Sequence, residues 1–113
     1  MRIVHAADAE RTLAEDPRFA EGLLAQGRGL MFRRTFPGDA LVFPFDSVRS
    51  RGLHMLFVPF AIDAVWLVGG RVERVARLDA WTGRGRARAD CVLELPAGAA
   101  DGVEAGDAVR VER

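Results

Sequence analysis

The chain has 113 residues, half of them apolar and 28% charged, a composition that builds one hydrophobic core and excludes wholesale disorder. Formal charge is zero, with 16 basic against 16 acidic residues, so no global field draws the protein to nucleic acid or to anionic membranes. The single cysteine, Cys91, excludes an internal disulfide and a cysteine-based metal site.

In chain order, Arg2 to Ala6 reads as a first strand, followed by a turn near Asp8 and a second short strand through Arg11, Leu13 and Ala14. Asp16 is a good N-cap and Pro17 suits a first helical position, so a helix is expected from there. Phe19, Ala20, Leu23 and Leu24 share one face of it, and Gly27 or Gly29 ends it. Leu41 to Phe45 reads as a strand near a sheet edge, because Pro44 cannot donate to a ladder.

Residues 53 to 75 are expected to form a buried central hairpin. Leu53 to Val58 carries apolar groups on both faces, the pattern of a strand covered on both sides. Ala64 to Val68 and Arg71 to Val75 then flank Gly69-Gly70, whose positive φ suits a tight turn. Arg84-Gly85-Arg86-Ala87-Arg88 reads as an alternating basic loop, Asp90 to Leu95 as a strand, Pro96 to Gly98 as a turn, and Val109 with Val111 as a last strand after Gly106-Asp107. The fold class expected is mainly β, a small β-sandwich or partial barrel with one short helix, in a single domain over residues 1–113.

Several of these segments resemble a known family. Gly29-Leu30-Met31-Phe32-Arg33, then Ala40 to Phe45, then Met55 to Leu67 with Asp63, then Leu93-Glu94-Leu95-Pro96-Ala97-Gly98, then Gly106-Asp107 are similar in order and spacing to the domain of unknown function 192 family, over roughly residues 10 to 111. The resemblance implies a mainly β, sandwich-like fold with one short helix and no established activity. Bacterial members carry a tryptophan-methionine-lysine-asparagine-threonine run before the aspartate. Here the same stretch is His54-Met55-Leu56-Phe57-Val58, so the two polar positions become apolar, as in a subgroup richer in core.

His54 and Asp63 interrupt the most apolar region, and a buried ionisable group needs a partner. As a pair they offer a general acid or base with an orienting carboxylate. Structurally, His54 packs in the sheet on a backbone partner and Asp63 caps the turn begun at Pro59. Arg33 suits either an anion clamp or an ion pair with Asp63 or Asp39. Asp79 and Trp81 suit a ligand platform, or else Trp81 covers the edge of the core.

From Arg71 to Arg88 six arginines face only Glu73 and Asp79, so Arg86 and its neighbours are candidates for anion contact. The last 25 residues carry six acids against Arg110 and Arg113, which argues that the two regions neutralise each other and against nucleic acid. No dinucleotide fingerprint, nucleophile elbow or phosphate loop is present, and no metal or cofactor is expected. The apolar run Leu53 to Val68 is shorter than the roughly 20 residues of a membrane span, and the N-terminus lacks a signal-peptide core, so a soluble cytoplasmic protein is expected. The leading expectation is a non-enzymatic module binding a small molecule or a protein through Arg33, Asp63, Asp79, Trp81 and Arg86. The alternative is a small enzyme using His54, Asp63 and Arg33 in one pocket.

Overall fold

The computed structural model describes residues 1–7, 9–20, 36 and 38–112. The described residues form eight strands: β1 (Arg2–Ala6), β2 (Glu10–Ala14), β3 (Pro17–Phe19), β4 (Ala40–His54), β5 (Ile62–Val68), β6 (Arg71–Leu78), β7 (Arg84–Pro96) and β8 (Ala108–Glu112). They form one open sheet in the order β2-β1-β8-β6-β5-β7-β4-β3. Every pairing is antiparallel except the short parallel one of β3 with β4. The protein is mainly β, and no helix occurs among the described residues. None there is long and apolar enough to cross a membrane.

Period-two alternation on β5 builds two cores, one on each side of the sheet. Val65 and Leu67 join Ile3, Ala14, Ala40, Val42, Leu93, Leu95, Val103 and Val109 on the first face. Ala64 and Trp66 join Leu41, Phe43, Met55, Val58, Leu78, Ala89 and Val92 on the second. The first core draws Ala14 from one edge strand and packs Phe19 from the other. A flat sheet of this size would hold its edges about 30 Å apart. The sheet therefore curls until β2 and β3 lie close enough for Glu15-Asp16 to join them, and the Asp39 carboxylate accepts both of those backbone N–H groups at 2.7 and 2.9 Å.

The long β4–β7 ribbon is irregular between Pro44 and Arg49, which pair with Cys91 and Ala89. Four residues thus stand opposite one, a bulge that bends the ribbon. Beyond it, residues 49–54 and 84–89 form an arm across the second face. The Trp66 indole N–H donates to the Arg51 carbonyl at 2.9 Å, and Arg74 places its guanidinium 5.5 Å from the same ring.

Three expectations are corrected. The helix start at Asp16-Pro17 is β3 instead. Pro17 loses no ladder bond at an edge, and the Ala20 N–H, which a helix would turn inward, reaches the Val42 carbonyl at 2.8 Å. The remainder of the expected helix and the Gly29 to Arg33 element lie outside the described residues. The expected central strand 53–58 ends at His54, and the hairpin proper is β5–β6, Ile62 to Leu78. Leu56 and Phe57 are the middle of a tight turn closed by the Val58 N–H on the Met55 carbonyl, and Phe57 has φ of 62°. Met55 and Val58 point inward while Leu56 and Phe57 are exposed, so the two apolar replacements enlarge the surface rather than the core. Finally, Arg84 to Arg88 is not a loop but the first part of β7. Its alternation sets Gly85, Ala87 and Ala89 toward Trp66 and the second core, where only small residues fit.

Candidate functional site

The outer surface of the arm carries an open polar groove. Three cross-strand pairs, Ser50 with Arg88, Gly52 with Arg86 and His54 with Arg84, face away from the core that Gly85 and Ala87 touch. Gly52, Leu53, His54, Arg84, Gly85 and Arg86 line a groove of about 410 Å³. The bare Gly52 makes room for Arg86, whose guanidinium lies across it and donates to Ser50 Oγ at 3.3 Å. His54 Nδ1 accepts the Leu56 N–H at 3.2 Å, which orients the ring.

Four of the described arginines pair with carboxylates: Arg2 with Glu112, Arg18 with Asp16, Arg77 with Asp63 and Asp101, and Arg110 with Glu10 and Glu112. Arg84, Arg86 and Arg88 have no carboxylate partner among the described residues. Asp90, next on the same side of β7, is turned to the Gly69 N–H at 3.1 Å. The arm is thus locally cationic although the chain is neutral.

At the end of the arm, two loops are tied together. Met55 N–H donates to Gly83 O at 2.9 Å and Trp81 N–H to Val58 O at 3.0 Å. They present Phe57 and Trp81, 41% and 54% exposed, as an edge-on pair with centroids 6.4 Å apart. These are the only non-glycine residues with positive φ among those described, at 62° and 66°. Bulky side chains rarely adopt that region, and such strain gathers where surroundings hold a residue for use.

The other sequence candidates fall elsewhere. Asp63 is 3% exposed on the first face and saturated: its carboxylate accepts from Arg77 Nε at 2.7 Å, from Gly98 N–H at 2.9 Å and from Ala100 N–H at 2.9 Å. It caps the turn after β7 rather than the one near Pro59, and it does not line the groove with His54. Asp79 uses its carbonyl to accept the Gly83 N–H at 3.0 Å, closing the Trp81 loop. Arg33 lies outside the described residues. Of the candidates, His54 and Arg86 meet in the groove, and Trp81 stands in the loop between β6 and β7.

Sequence reading placed Arg84 and Arg88 beside Arg86 in a basic loop and passed over the strand on which their period-two spacing lines them up. It also passed over Glu94. This side chain is on β7 between Leu41 and Ala64, 7% exposed, with Oε2 lacking a hydrogen-bond partner among the described residues. Burial pushes its carboxyl up to about 7. A glutamate flanked by Leu93 and Leu95 on a strand covered on both faces has nowhere else to go. No cluster of three metal-ligating side chains occurs among the described residues. His5 Nε2 lies 2.7 Å from Asp107, which the Glu104 N–H and then His5 hold below its ordinary range; this pair ties β1 to the turn before β8.

Fold and surface together define a class: a small, mainly β domain with one curled sheet, a folded-over arm carrying a basic groove, and an exposed aromatic pair on the loops at the arm's end. Residues 4–111 match the model of the DUF192 family, described as Uncharacterized ACR, and the chain belongs to that family. Comparison with curated proteins returns no match. Two solved structures share the fold. A protein of unknown function from Novosphingobium aromaticivorans DSM 12444 is 21% identical with a TM-score of 0.82, covering 98% of this chain and 84% of its own. A candidate transcription regulator from Sinorhizobium meliloti 1021 is 23% identical with a TM-score of 0.79, covering 96% and 91%.

Proposed function

We propose that this domain is a non-enzymatic binding module whose arm recognises a ligand combining an anionic group with a flat apolar ring. The anion sits in the groove between His54, Arg84 and Arg86, and the ring rests on Trp81. Arginine forks match phosphate and carboxylate oxygens, and an exposed indole offers an aromatic face at low entropic cost. The single observation behind the reading is the strained, exposed Phe57–Trp81 pair beside arginines that no carboxylate neutralises. The enzyme alternative has less support, because the Asp63 oxygens are already occupied by Arg77 and two backbone N–H groups.

Phenyl phosphate is the simplest probe of that chemistry. Titrated into the protein and followed by the indole resonances of Trp81, it is expected to bind saturably, and Arg86→Gln and Trp81→Ala each weaken it. No saturable shift, or shifts that both variants leave intact, would discard the reading.

A further inference from the structure

We infer that the outer edge of β4 docks an acidic peptide strand, which pairs with the backbone of Ser50, Gly52 and His54 and sets its carboxylates against the arm's arginines. The inference rests on the anion half of the reading above and names the partner that supplies the anions. Pairs in an antiparallel ladder alternate between those that exchange backbone hydrogen bonds and those that do not. The Met55 N–H on the Gly83 carbonyl sets that phase for the arm, because β4 and β7 keep one register from Arg49 with Ala89 to His54 with Arg84. Ser50, Gly52 and His54 therefore stand in the non-exchanging pairs and turn N–H and C=O away from β7. The far side of the ribbon agrees. The Arg86 carbonyl, turned away from β4 by the same phase, accepts from Arg74 Nη1 at 2.9 Å.

No described strand takes up that edge, since β3 meets β4 only at Ala40 to Val42. Ser50, Gly52 and His54 are exposed, and none is a lysine or proline, the residues that commonly blunt an edge. An unpaired row of this kind is a template for another strand. An added antiparallel strand places the side chains opposite these three on the outer surface, the face that carries Arg84, Arg86 and Arg88. The Arg86 guanidinium already reaches the edge, lying over Gly52 and donating to Ser50 Oγ. With paired backbones about 4.8 Å apart, a glutamate or aspartate opposite Gly52 meets it directly. Charge complementarity selects the occupant. A second copy of this chain paired edge to edge about Gly52 would bring two Arg86 guanidinium groups together. A nucleic acid has no row of N–H and C=O groups to pair with the edge.

The test is fluorescence anisotropy with a labelled peptide of about eight residues, a common strand length, that alternates glutamate and threonine. It is expected to bind saturably and to slow amide exchange at Ser50, Gly52 and His54. Arg86→Gln should weaken it about five-fold. In the paired strand the glutamate amides face β4 and the threonine amides face solvent. N-methylation of the glutamates should therefore weaken binding about ten-fold or more, and N-methylation of the threonines should not. Equal losses from the two methylated peptides would overturn the inference, as would an affinity that Arg86→Gln leaves unchanged. So would displacement by oligothymidylate as effective as by unlabelled peptide, or a dimer of the protein alone that the peptide dissociates. If phenyl phosphate binds through Trp81 and Arg86 but the peptide does not bind, only the edge fails and the anion-and-ring reading stands. If neither binds, both fail.

Discussion

A Cβ placed on Gly85 would lie 2.8 Å from Cη2 of Trp66, so the arm rests on the indole with no room for a methyl group. Trp66 is fully buried, and its neighbours cannot retreat. Gly85→Ala is therefore expected to cost about 1–3 kcal/mol by overpacking, read as a lower urea midpoint. Gly52 makes a useful contrast. Its added Cβ would meet Arg86 Nη2 at 2.6 Å, the free end of a flexible side chain. Gly52→Ala should leave the midpoint nearly unchanged while displacing the guanidinium and weakening phenyl phosphate. Equal losses of stability from the two substitutions would contradict the packing described.

Asp63 holds two parts of the fold together, and its removal should show it. The carboxylate bonds Arg77 on β6 and the N–H groups of Gly98 and Ala100 in the turn after β7. Hydrogen bonds to a buried charge are each worth roughly 1.5–3 kcal/mol, and they are not additive. Asp63→Ala is expected to cost about 3 kcal/mol or more and to raise amide exchange at Gly98 and Ala100. Arg77 is half exposed, so Arg77→Ala should cost less and leave those two amides protected. Phenyl phosphate affinity should survive both changes, since neither residue lines the groove.

How much of this was legible in the sequence depended on whether a local pattern had one reading. Gly69-Gly70 between two alternating runs has one, and the β5–β6 hairpin follows it directly. Leu53 to Val58 has two: apolar residues on both sides describe a doubly covered strand, or a turn that buries Met55 and Val58 and exposes Leu56 and Phe57. Nothing local separates these, because the choice is made by the distant Trp81 loop that takes the Val58 carbonyl. Asp16-Pro17 is ambiguous in the same way, since proline suits a helix start and an edge strand alike. The groove was half legible. His54 and Arg86 stood out as chemistry, but their meeting depends on the β4–β7 register, a pairing between strands separated by a whole hairpin.

Glu94 gives stability a pH dependence of unusual sign. Its carboxyl is ordinarily near 4.5 and burial raises it to about 7 in the folded protein. Between those values the unfolded chain has released the proton and the folded one has kept it, so stability falls as pH rises. The loss is complete above the folded value and amounts to about 3 kcal/mol at roughly 1.4 kcal/mol per pH unit. Denaturation measured between about pH 5 and pH 8 should show this decline in the wild type and not in Glu94→Gln, which has nothing to ionise. A decline that persists in Glu94→Gln would assign it to another group.

Trp66 and Trp81 test whether the strained aromatic is kept for the fold or for the ligand. Trp66 fills the second core, and its truncation to alanine should cost about 3–5 kcal/mol. Trp81 is 54% exposed and has φ of 66°, a conformation costing an ordinary side chain about 1–2 kcal/mol, whereas asparagine tolerates it better. Trp81→Asn gives up the edge contact with Phe57, worth about 0.5–1.5 kcal/mol when well packed and less at an exposed site. Relief of strain offsets that loss, so the variant should be as stable as the wild type or up to about 1 kcal/mol more so. Its affinity for phenyl phosphate should fall at the same time. A residue that lowers stability where it stands and yet is needed for the ligand is placed by function. If Trp81→Asn instead unfolds the protein as Trp66→Ala does, the loop is a structural clasp and the aromatic pair has no part in recognition.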